Sequence, residues 1–180
     1  MVKKLLDELS QKSYENEEHI TSMVEYADLL GRKINLDADQ LMELWLLANV
    51  HDIGKIKIPE NILIKKQDLT DKEWGKIKEH SKEGYNIIKA MDSFSFSADK
   101  VLYHHENWDG SGYPKGLEGK NIPLLSRIIS IVDAYDVMTN DRPYNSTKSK
   151  EEALEELKKC AGSQFDPYLV EKFIEVMEGN

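Results

Sequence analysis

The sequence predicts an all-α protein, a single helical bundle that carries one long glycine-rich loop. Apolar residues recur three and four positions apart, first at Ile20, Met23, Val24, Ala27 and Leu30, which is the spacing of a helix with one buried face. Three capping pairs stand just before such runs: Asp37 with Gln40, Thr70 with Glu73, and Ser149 with Glu152. No segment is convincing as a β-strand, so we predict helices throughout.

The first half of the chain is expected to hold several helices in succession. Gly31 should end or loosen the first. The second, opened by Asp37, runs through Leu41 to Ala48 and delivers the adjacent pair His51-Asp52. Pro59 breaks the pattern, and the helix opened by Thr70 carries His80, with a further helical stretch from Tyr85 to Met91.

The second half is organised around the loop. Ser93 to Ser97 is expected to be a loop and Val101 to His105 a short helix. Four of the ten glycines lie between Trp108 and Pro123, and a loop of this length inside a compact domain is usually functional or disordered. We expect a structured one. Pro123 then suits the first turn of a helix that reaches Met138, and the last two helices should end near Gly162 and Gly179.

Length and charge limit the possible functions. A chain of 180 residues with 40% hydrophobic content fits one domain with a real core. The formal net charge of -9 argues against binding a nucleic acid polymer or an anionic membrane, both of which require basic surface. A small phosphorylated ligand is still compatible, because bound cations can reverse the field of a pocket.

Cysteine usage and the first residues indicate the compartment. Cys160 is the only cysteine, so no internal disulfide can form, and a reducing cytosol is the simplest setting. We interpret it as a small buried hydrophobe. Asp7 and Glu8 interrupt the first apolar residues before a secretory signal could form, and no apolar run approaches the ~18 residues of a membrane span. A cytoplasmic protein is predicted.

The histidines suggest a metal centre. His51 with Asp52 and the doublet His104-His105 are ligand-type pairs, and His19 and His80 lie on predicted helices. Imidazole nitrogens with carboxylate oxygens suit first-row transition metals. A lone histidine on an amphipathic helix is more often a core or surface residue, but five that could converge favour a centre built between helices.

Two acidic residues are further candidate ligands. Asp133 lies on the apolar face of its helix, where an unpaired carboxylate would be costly to bury, whereas Asp136 and Asp141 fit better as surface acids. Glu15 stands four residues before His19, so both can face the same side of a helix. Alternatively, Glu15 is an exposed acidic residue at the start of the helix, where the helix dipole favours negative charge.

Basic residues near these pairs could contact phosphate. Lys55 lies one turn beyond His51 and could aim its ammonium at a phosphate oxygen. Arg142 could bind a phosphate group through two parallel hydrogen bonds, or it could be a solvent-exposed charged residue in a loop. No protein nucleophile is predicted, because Cys160 lies outside every motif and no serine has a convincing motif with a base.

Taken together, the ordered motifs resemble the HD-GYP domain. The matching segments are HDIGKIKIP from His51, KEHSKEGY around His80, HHENWDGSGYPKGL from His104, DAYDVMTNDRPY from Asp133 and QFDP from Gln164. The resemblance covers residues 15–180 and leaves residues 1–14 as a helical lead-in, too short for an upstream sensor. It implies an HD-superfamily phosphodiesterase that hydrolyses the bacterial second messenger cyclic di-GMP to linear pGpG, often followed by GMP.

The resemblance also implies a ligand set and a pocket. The family's metal ligands fall on Glu15, His19, His51, Asp52, His80, His104, His105 and Asp133. Asp52 would bridge two metals, and Glu15 would allow a third. Two or three divalent ions are therefore expected, and iron or manganese are the family's usual ions. Substrate contacts fall on Lys55, Tyr113, Lys115 and Arg142. Asn145 and Ser146 depart from the family, which commonly has basic residues after DRPY.

The expected chemistry follows from such a centre. Two cations can clamp a phosphodiester and lower the pKa of a bridging water, so the nucleophile would be metal-bound hydroxide, with Asp52 and Lys55 as the catalytic residues. Tyr113 would line the pocket, although the glycine-rich loop could instead be purely structural. The family also suggests diguanylate cyclase domains as partners of this loop. Two alternatives stay open: a catalytically weak cyclic di-GMP receptor, and a hydrolase of another cyclic dinucleotide.

Overall fold

The computed structural model describes Asp7, residues 17–140 and residues 147–179. The predicted site residues Glu15 and Arg142 lie outside these residues, as do Asn145 and Ser146 and the predicted lead-in apart from Asp7. Within the described residues the chain is helical and contains no β-strand, only two isolated bridges. The all-α prediction is confirmed.

The helices follow one another in the order that the sequence indicates. They are α1 (Glu17–Lys33), α2 (Ala38–Val50), α3 (Glu60–Leu63), α4 (Asp71–Lys89), α5 (Ala98–Leu102), α6 (Leu124–Thr139), α7 (Lys150–Lys159) and α8 (Pro167–Gly179). Short 3-10 helices span Ile53–Lys57, Asp92–Ser97 and Gly119–Asn121. None of the described helices combines the length and apolar character needed to cross a membrane.

One hydrophobic core joins these helices. Helix α1 packs against α2, α6 and α8, while α4 packs against α5 and the 3-10 helix Ile53–Lys57. Met23, Leu47, Ile128 and Phe173 are fully buried where the helices meet. Truncating a side chain of this kind to alanine costs about 2–5 kcal/mol, so the core holds the site-bearing helices in fixed relative positions.

The three predicted capping boxes are confirmed and fix where α2, α4 and α7 begin. The Asp37 carboxylate accepts the Gln40 backbone N–H at 2.8 Å, and the Gln40 side chain accepts the Asp37 N–H at 3.1 Å. The same reciprocal pairs form at Thr70 and Ser149. These caps satisfy backbone donors that a helix cannot pair internally.

Three local predictions were wrong at helix ends. Gly31 lies buried inside α1, where an added Cβ would stand 2.8 Å from a Leu41 methyl group, so it allows close approach of α2. The chain turns later, at Asn35, with φ 60°. The short helix ends at Leu102, before the histidine doublet, and Ser93 to Ser97 forms part of a 3-10 helix.

The glycine-rich loop is ordered by the backbone of the QFDP region. Trp108 N–H donates to the carbonyl of Gln164 at 3.0 Å, and Asp109 N–H donates to that of Ser163 at 2.9 Å. The Arg127 guanidinium lies 5.7 Å from the Trp108 ring centroid and pairs with Asp166 at 2.6 Å. The prediction of a long, structured loop is confirmed, with its 3-10 turn at Gly119–Asn121.

Candidate metal centre

Seven of the eight predicted metal ligands lie in the described residues, and the bundle brings all seven together. Their ligand atoms form two groups, within each of which the atoms lie no more than 4.8 Å apart. The His80 group contains Asp52, His80, His104 and His105; the His19 group contains His19, His51 and Asp133. Residues far apart in the sequence therefore converge, as the ordered motifs predicted.

Asp52 stands between the two groups. Its Oδ1 lies 3.1 Å from His80 Nε2 and 3.8 Å from His104 Nε2, and its Oδ2 lies 3.5 Å from His51 Nε2. Its position just after α2, at the start of the 3-10 helix Ile53–Lys57, places a buried carboxylate with one oxygen toward each group. This is the arrangement that a ligand shared by two cations requires.

Backbone carbonyls orient three of the histidines. Each ring places Nδ1 against the carbonyl oxygen three residues earlier: His51 on Ala48 at 3.1 Å, His80 on Ile77 at 2.7 Å and His104 on Val101 at 2.6 Å. A carbonyl can only accept, so Nδ1 carries the proton and Nε2 is left with a lone pair. His80 Nε2 and His104 Nε2 then face each other at 3.3 Å, and a cation between them would relieve that contact.

Two buried atoms provide a test of whether the residues fit a metal. Within residues 17–140 and 147–179, neither His51 Nε2 nor Asp52 Oδ1 has a partner with acceptable hydrogen-bond geometry. Leaving such a group unsatisfied costs about 1–3 kcal/mol. Imidazole nitrogens and carboxylate oxygens that are already desolvated and aimed at one another fit divalent transition metals, so the donor set is suitable.

The electrostatics keep these ligands in their metal-binding protonation states. Burial opposes ionisation of Asp52, but the Lys55 ammonium and the surrounding imidazoles of His51, His104 and His80 hold its pKa well below the usual value. Burial lowers the pKa of His104, and burial together with His104 and His80 holds that of His105 well below its usual value. Metals bind an ionised carboxylate and neutral imidazoles.

The interpretation of Asp136 as a surface acid was wrong. Its side chain is 0% exposed, and its Oδ2 accepts a hydrogen bond from His19 Nδ1 at 2.5 Å. Asp133, one turn earlier on α6, is 22% exposed and places Oδ1 4.0 Å from His19 Nε2. The spacing of three residues between the two acids puts them on one helix face, and this was the available signal.

Lys55 and Tyr113 both reach the centre. Lys55 Nζ lies 2.5 Å from Asp52 Oδ2. The Tyr113 ring stacks on His105, with centroids 4.9 Å apart and planes 28° from parallel, and the Lys78 ammonium lies 5.1 Å from the same ring centroid. Burial and the charge of Asp52 raise the pKa of the Tyr113 hydroxyl, so it stays protonated and can donate.

Glu106 is a buried residue that the sequence reasoning missed. Its carboxylate accepts two backbone N–H groups of the glycine-rich loop, from Lys115 at 2.7 Å and from Leu117 at 3.0 Å. The backbone of Tyr113 is tied in turn to the carbonyl of His105 at 3.1 Å. Glu106 thus holds the loop over the histidine doublet while the Lys115 side chain is exposed.

Comparisons with known proteins agree with this site and fold. The family model of the HD domain matches residues 1–169. A Thermotoga maritima protein named cyclic di-GMP phosphodiesterase is 34% identical over 178 residues, which are 97% of this chain and 48% of that protein. The 3'3'-cGAMP-specific phosphodiesterase 2 of Vibrio cholerae is 32% identical over 97% of this chain and 34% of its own length. The chain therefore spans less than half the length of these relatives.

A solved structure shows the same fold. The crystal structure of a cyclic GMP-AMP specific phosphodiesterase from Vibrio cholerae superposes with a TM-score of 0.74 at 20% identity, covering 98% of this chain and 47% of that one. At that identity the likeness establishes the architecture alone. The match of the family model carries the assignment: the chain belongs to the HD domain family, and the resemblance to HD-GYP domains predicted from its motifs is confirmed.

Proposed function

We propose that this chain is the catalytic domain of a metal-dependent phosphodiesterase that hydrolyses cyclic di-GMP to linear pGpG, with GMP as a further product. The observation that carries the proposal is Asp52, whose two carboxylate oxygens face the two ligand groups separately. A shared carboxylate between two cations is typical of sites that cleave phosphodiesters. Relatives named for this activity support the choice of substrate.

The seven described ligands would hold two divalent ions, and Glu15 is the candidate for binding a third. We propose iron or manganese, because sites that combine imidazole and carboxylate ligands suit such transition metals. When bound, the metals would supply Lewis-acid stabilisation of the phosphodiester and an activated water. His104 and His105, kept neutral by burial, remain available as ligands at neutral pH.

Side chains around the centre would bind and orient the substrate. The Lys55 ammonium, 2.5 Å from Asp52 Oδ2, is placed to stabilise negative charge on phosphoryl oxygens beside the metals. The protonated Tyr113 hydroxyl can donate a hydrogen bond, and its ring forms a wall against which a base or ribose can pack. Lys115 and Arg142 are proposed as further phosphate contacts.

A second candidate is hydrolysis of another cyclic dinucleotide. The relative that is specific for 3'3'-cGAMP shares 32% identity with this chain. Asn145 and Ser146, where the family commonly has basic residues, are the positions at which we expect the nucleotide preference to differ. A catalytically weak receptor is less favoured, because the seven described ligand residues converge. Diguanylate cyclase domains as partners and a cytoplasmic location stay predictions from the sequence.

The test is a substrate panel with purified protein reconstituted separately with iron(II) and manganese(II). Cyclic di-GMP, 3'3'-cGAMP and cyclic di-AMP are incubated with the protein, and products are separated by chromatography. We expect pGpG from cyclic di-GMP, metal dependence, and no product from the variant Asp52→Asn. Cleavage of only another substrate would select the second candidate, and binding without turnover in metal-loaded protein would select the receptor.

The exposed variant Asp28→Asn is the matched control, because Asp28 lies on α1 and its only described partner is Arg32 at 2.6 Å. Its activity should equal that of the unmodified protein.

A further inference from the structure

We propose that Asp136 is a positioning residue that fixes the tautomer of His19 and thereby sets the affinity of the His19 group for its metal. The effect on metal binding rests on the proposed metal centre, whereas the tautomer itself does not. The juxtaposition that carries the inference is the fully buried Asp136 carboxylate on α6 against His19 Nδ1 on α1 at 2.5 Å.

His19 is oriented in a different way from three of the other histidines. His51, His80 and His104 place Nδ1 against a carbonyl of the preceding turn of their own chain segment. His19 instead meets a carboxylate from a helix more than a hundred residues away in sequence. The partner of its Nδ1 is therefore a replaceable side chain rather than a backbone group.

The Asp136 carboxylate is itself held in place. Asn140, one turn later, hydrogen-bonds through its side-chain amide to Asp136 Oδ1, and its backbone N–H donates to the carbonyl of Asp136 at 2.9 Å. An ionised carboxylate can only accept hydrogen bonds. The proton shared with His19 must therefore sit on Nδ1, which leaves Nε2 with its lone pair.

That lone pair faces the other residues of the His19 group. His19 Nε2 lies 4.0 Å from Asp133 Oδ1, within the group that also contains His51. A carboxylate behind a ligating imidazole fixes the tautomer and makes the ring a stronger donor, and losing such a partner typically weakens metal affinity by about 10–100-fold. Asp136 thus strengthens this group without being a ligand.

The variant Asp136→Asn distinguishes control of the His19 tautomer from a purely structural hydrogen bond between α1 and α6. The Asn140 amide donates to Oδ1, so the new amide would keep its oxygen there and turn its NH2 toward His19 Nδ1. Nδ1 would then accept, and the ring proton would move to Nε2, where it blocks metal binding. A purely structural residue would change stability and leave the tautomer alone.

The first readout is the His19 tautomer in the metal-free full chain, measured by long-range proton–nitrogen correlation NMR with labelled histidine. We expect the Nδ1–H form in the unmodified protein and the Nε2–H form in Asp136→Asn. His51, which donates to Ala48, is the internal control and should keep Nδ1–H in both. The Nε2–H form of His19 in the unmodified protein would overturn the proposal even if the variant failed to fold.

The second readout is a titration with manganese(II), followed by calorimetry and metal analysis. Asp136→Asn should bind one of the two ions about 10–100-fold more weakly, while the exposed control Asp28→Asn matches the unmodified protein. Unchanged affinities for both ions in Asp136→Asn would refute the inference. If the unmodified protein bound no metal at all, the proposed function would fail, and the tautomer measurement would still decide the role of Asp136.

Discussion

Gly54, in the segment HDIGK, is the position at which the smallest change should do the most damage to the metal centre. A Cβ added there would lie 1.9 Å from the carbonyl oxygen of His80 and 2.5 Å from the backbone nitrogen of Gly84. Both are backbone atoms of α4, so no side-chain rotation can relieve the contact. The variant Gly54→Ala must push the 3-10 helix Ile53–Lys57 away from α4.

The size of the shift can be worked out from these distances. Ordinary contacts of a Cβ begin near 3.4 Å, so relief from 1.9 Å requires a movement of about 1.5 Å. Asp52 Oδ1 lies only 3.1 Å from His80 Nε2 across the same interface, and the shift would carry Asp52 out of the His80 group. A misplacement of about 1 Å can cost about 100-fold in rate.

Stability should fall as well. Overpacking costs about 1–3 kcal/mol, which corresponds to a fall in Tm of about 2–12 °C for a domain of this size. The matched control is Gly75→Ala on the outer face of α4, where an added Cβ would meet nothing within 4 Å. That change should raise stability by up to about 1 kcal/mol, because alanine favours helix more than glycine does.

The assay combines differential scanning fluorimetry, metal analysis and turnover of a cyclic dinucleotide for both variants. We expect Gly54→Ala to lose stability, metal and turnover together, and Gly75→Ala to lose none of them. A Gly54→Ala protein with unchanged Tm and full metal content would refute the reasoning, because it would mean that the segment carrying Asp52 does not need its close contact with α4.

Three further substitutions test separate parts of the site. His104→Ala removes a proposed ligand of the His80 group and should abolish metal-dependent turnover while the helical circular dichroism is kept; near-normal activity in metal-replete protein would contradict the assignment. Lys55→Met removes the ammonium next to Asp52 and should lower turnover about 100-fold in metal-replete protein. Metal analysis of each sample separates this loss from a loss of bound metal, and full turnover would contradict the role of Lys55. Glu106→Gln leaves one acceptor oxygen for two N–H groups of the glycine-rich loop, so we expect the free energy of unfolding to fall by about 1–3 kcal/mol. The KM should rise and proteolysis of the loop should become faster. An unchanged KM would show that the hydrogen bonds of Glu106 to the loop do not matter for substrate binding.

Local signals in the sequence were sufficient for the helices and their starts. The reciprocal caps at Asp37, Thr70 and Ser149 form as predicted, because a capping box depends only on residues three positions apart. The ends of helices were harder to predict. Gly31, for example, is required by the close approach of Leu41 from another helix and does not end its own helix. A glycine that ends a helix and one that admits a neighbour look alike in a sequence.

The ligand set was accessible for a different reason. The histidine pairs stand out by composition and already suggested a centre between helices, while the complete set of candidate ligands followed from the resemblance to a known domain rather than from helix periodicity. Asp136 was misjudged although it stands three residues after Asp133 on a mostly apolar helix, a spacing that places both acids on one helix face. Glu106 was missed because it lies among polar residues, and its burial arises from the path of the glycine-rich loop, which local spacing does not reveal.

The proposed centre requires that the His80 group and the His19 group each hold one cation and that both cations share Asp52. Anomalous diffraction from crystals of manganese-loaded protein would locate the ions. We expect two manganese peaks about 3.5–4 Å apart, one in each group and both beside the Asp52 carboxylate. A single peak, or peaks away from Asp52, would contradict it.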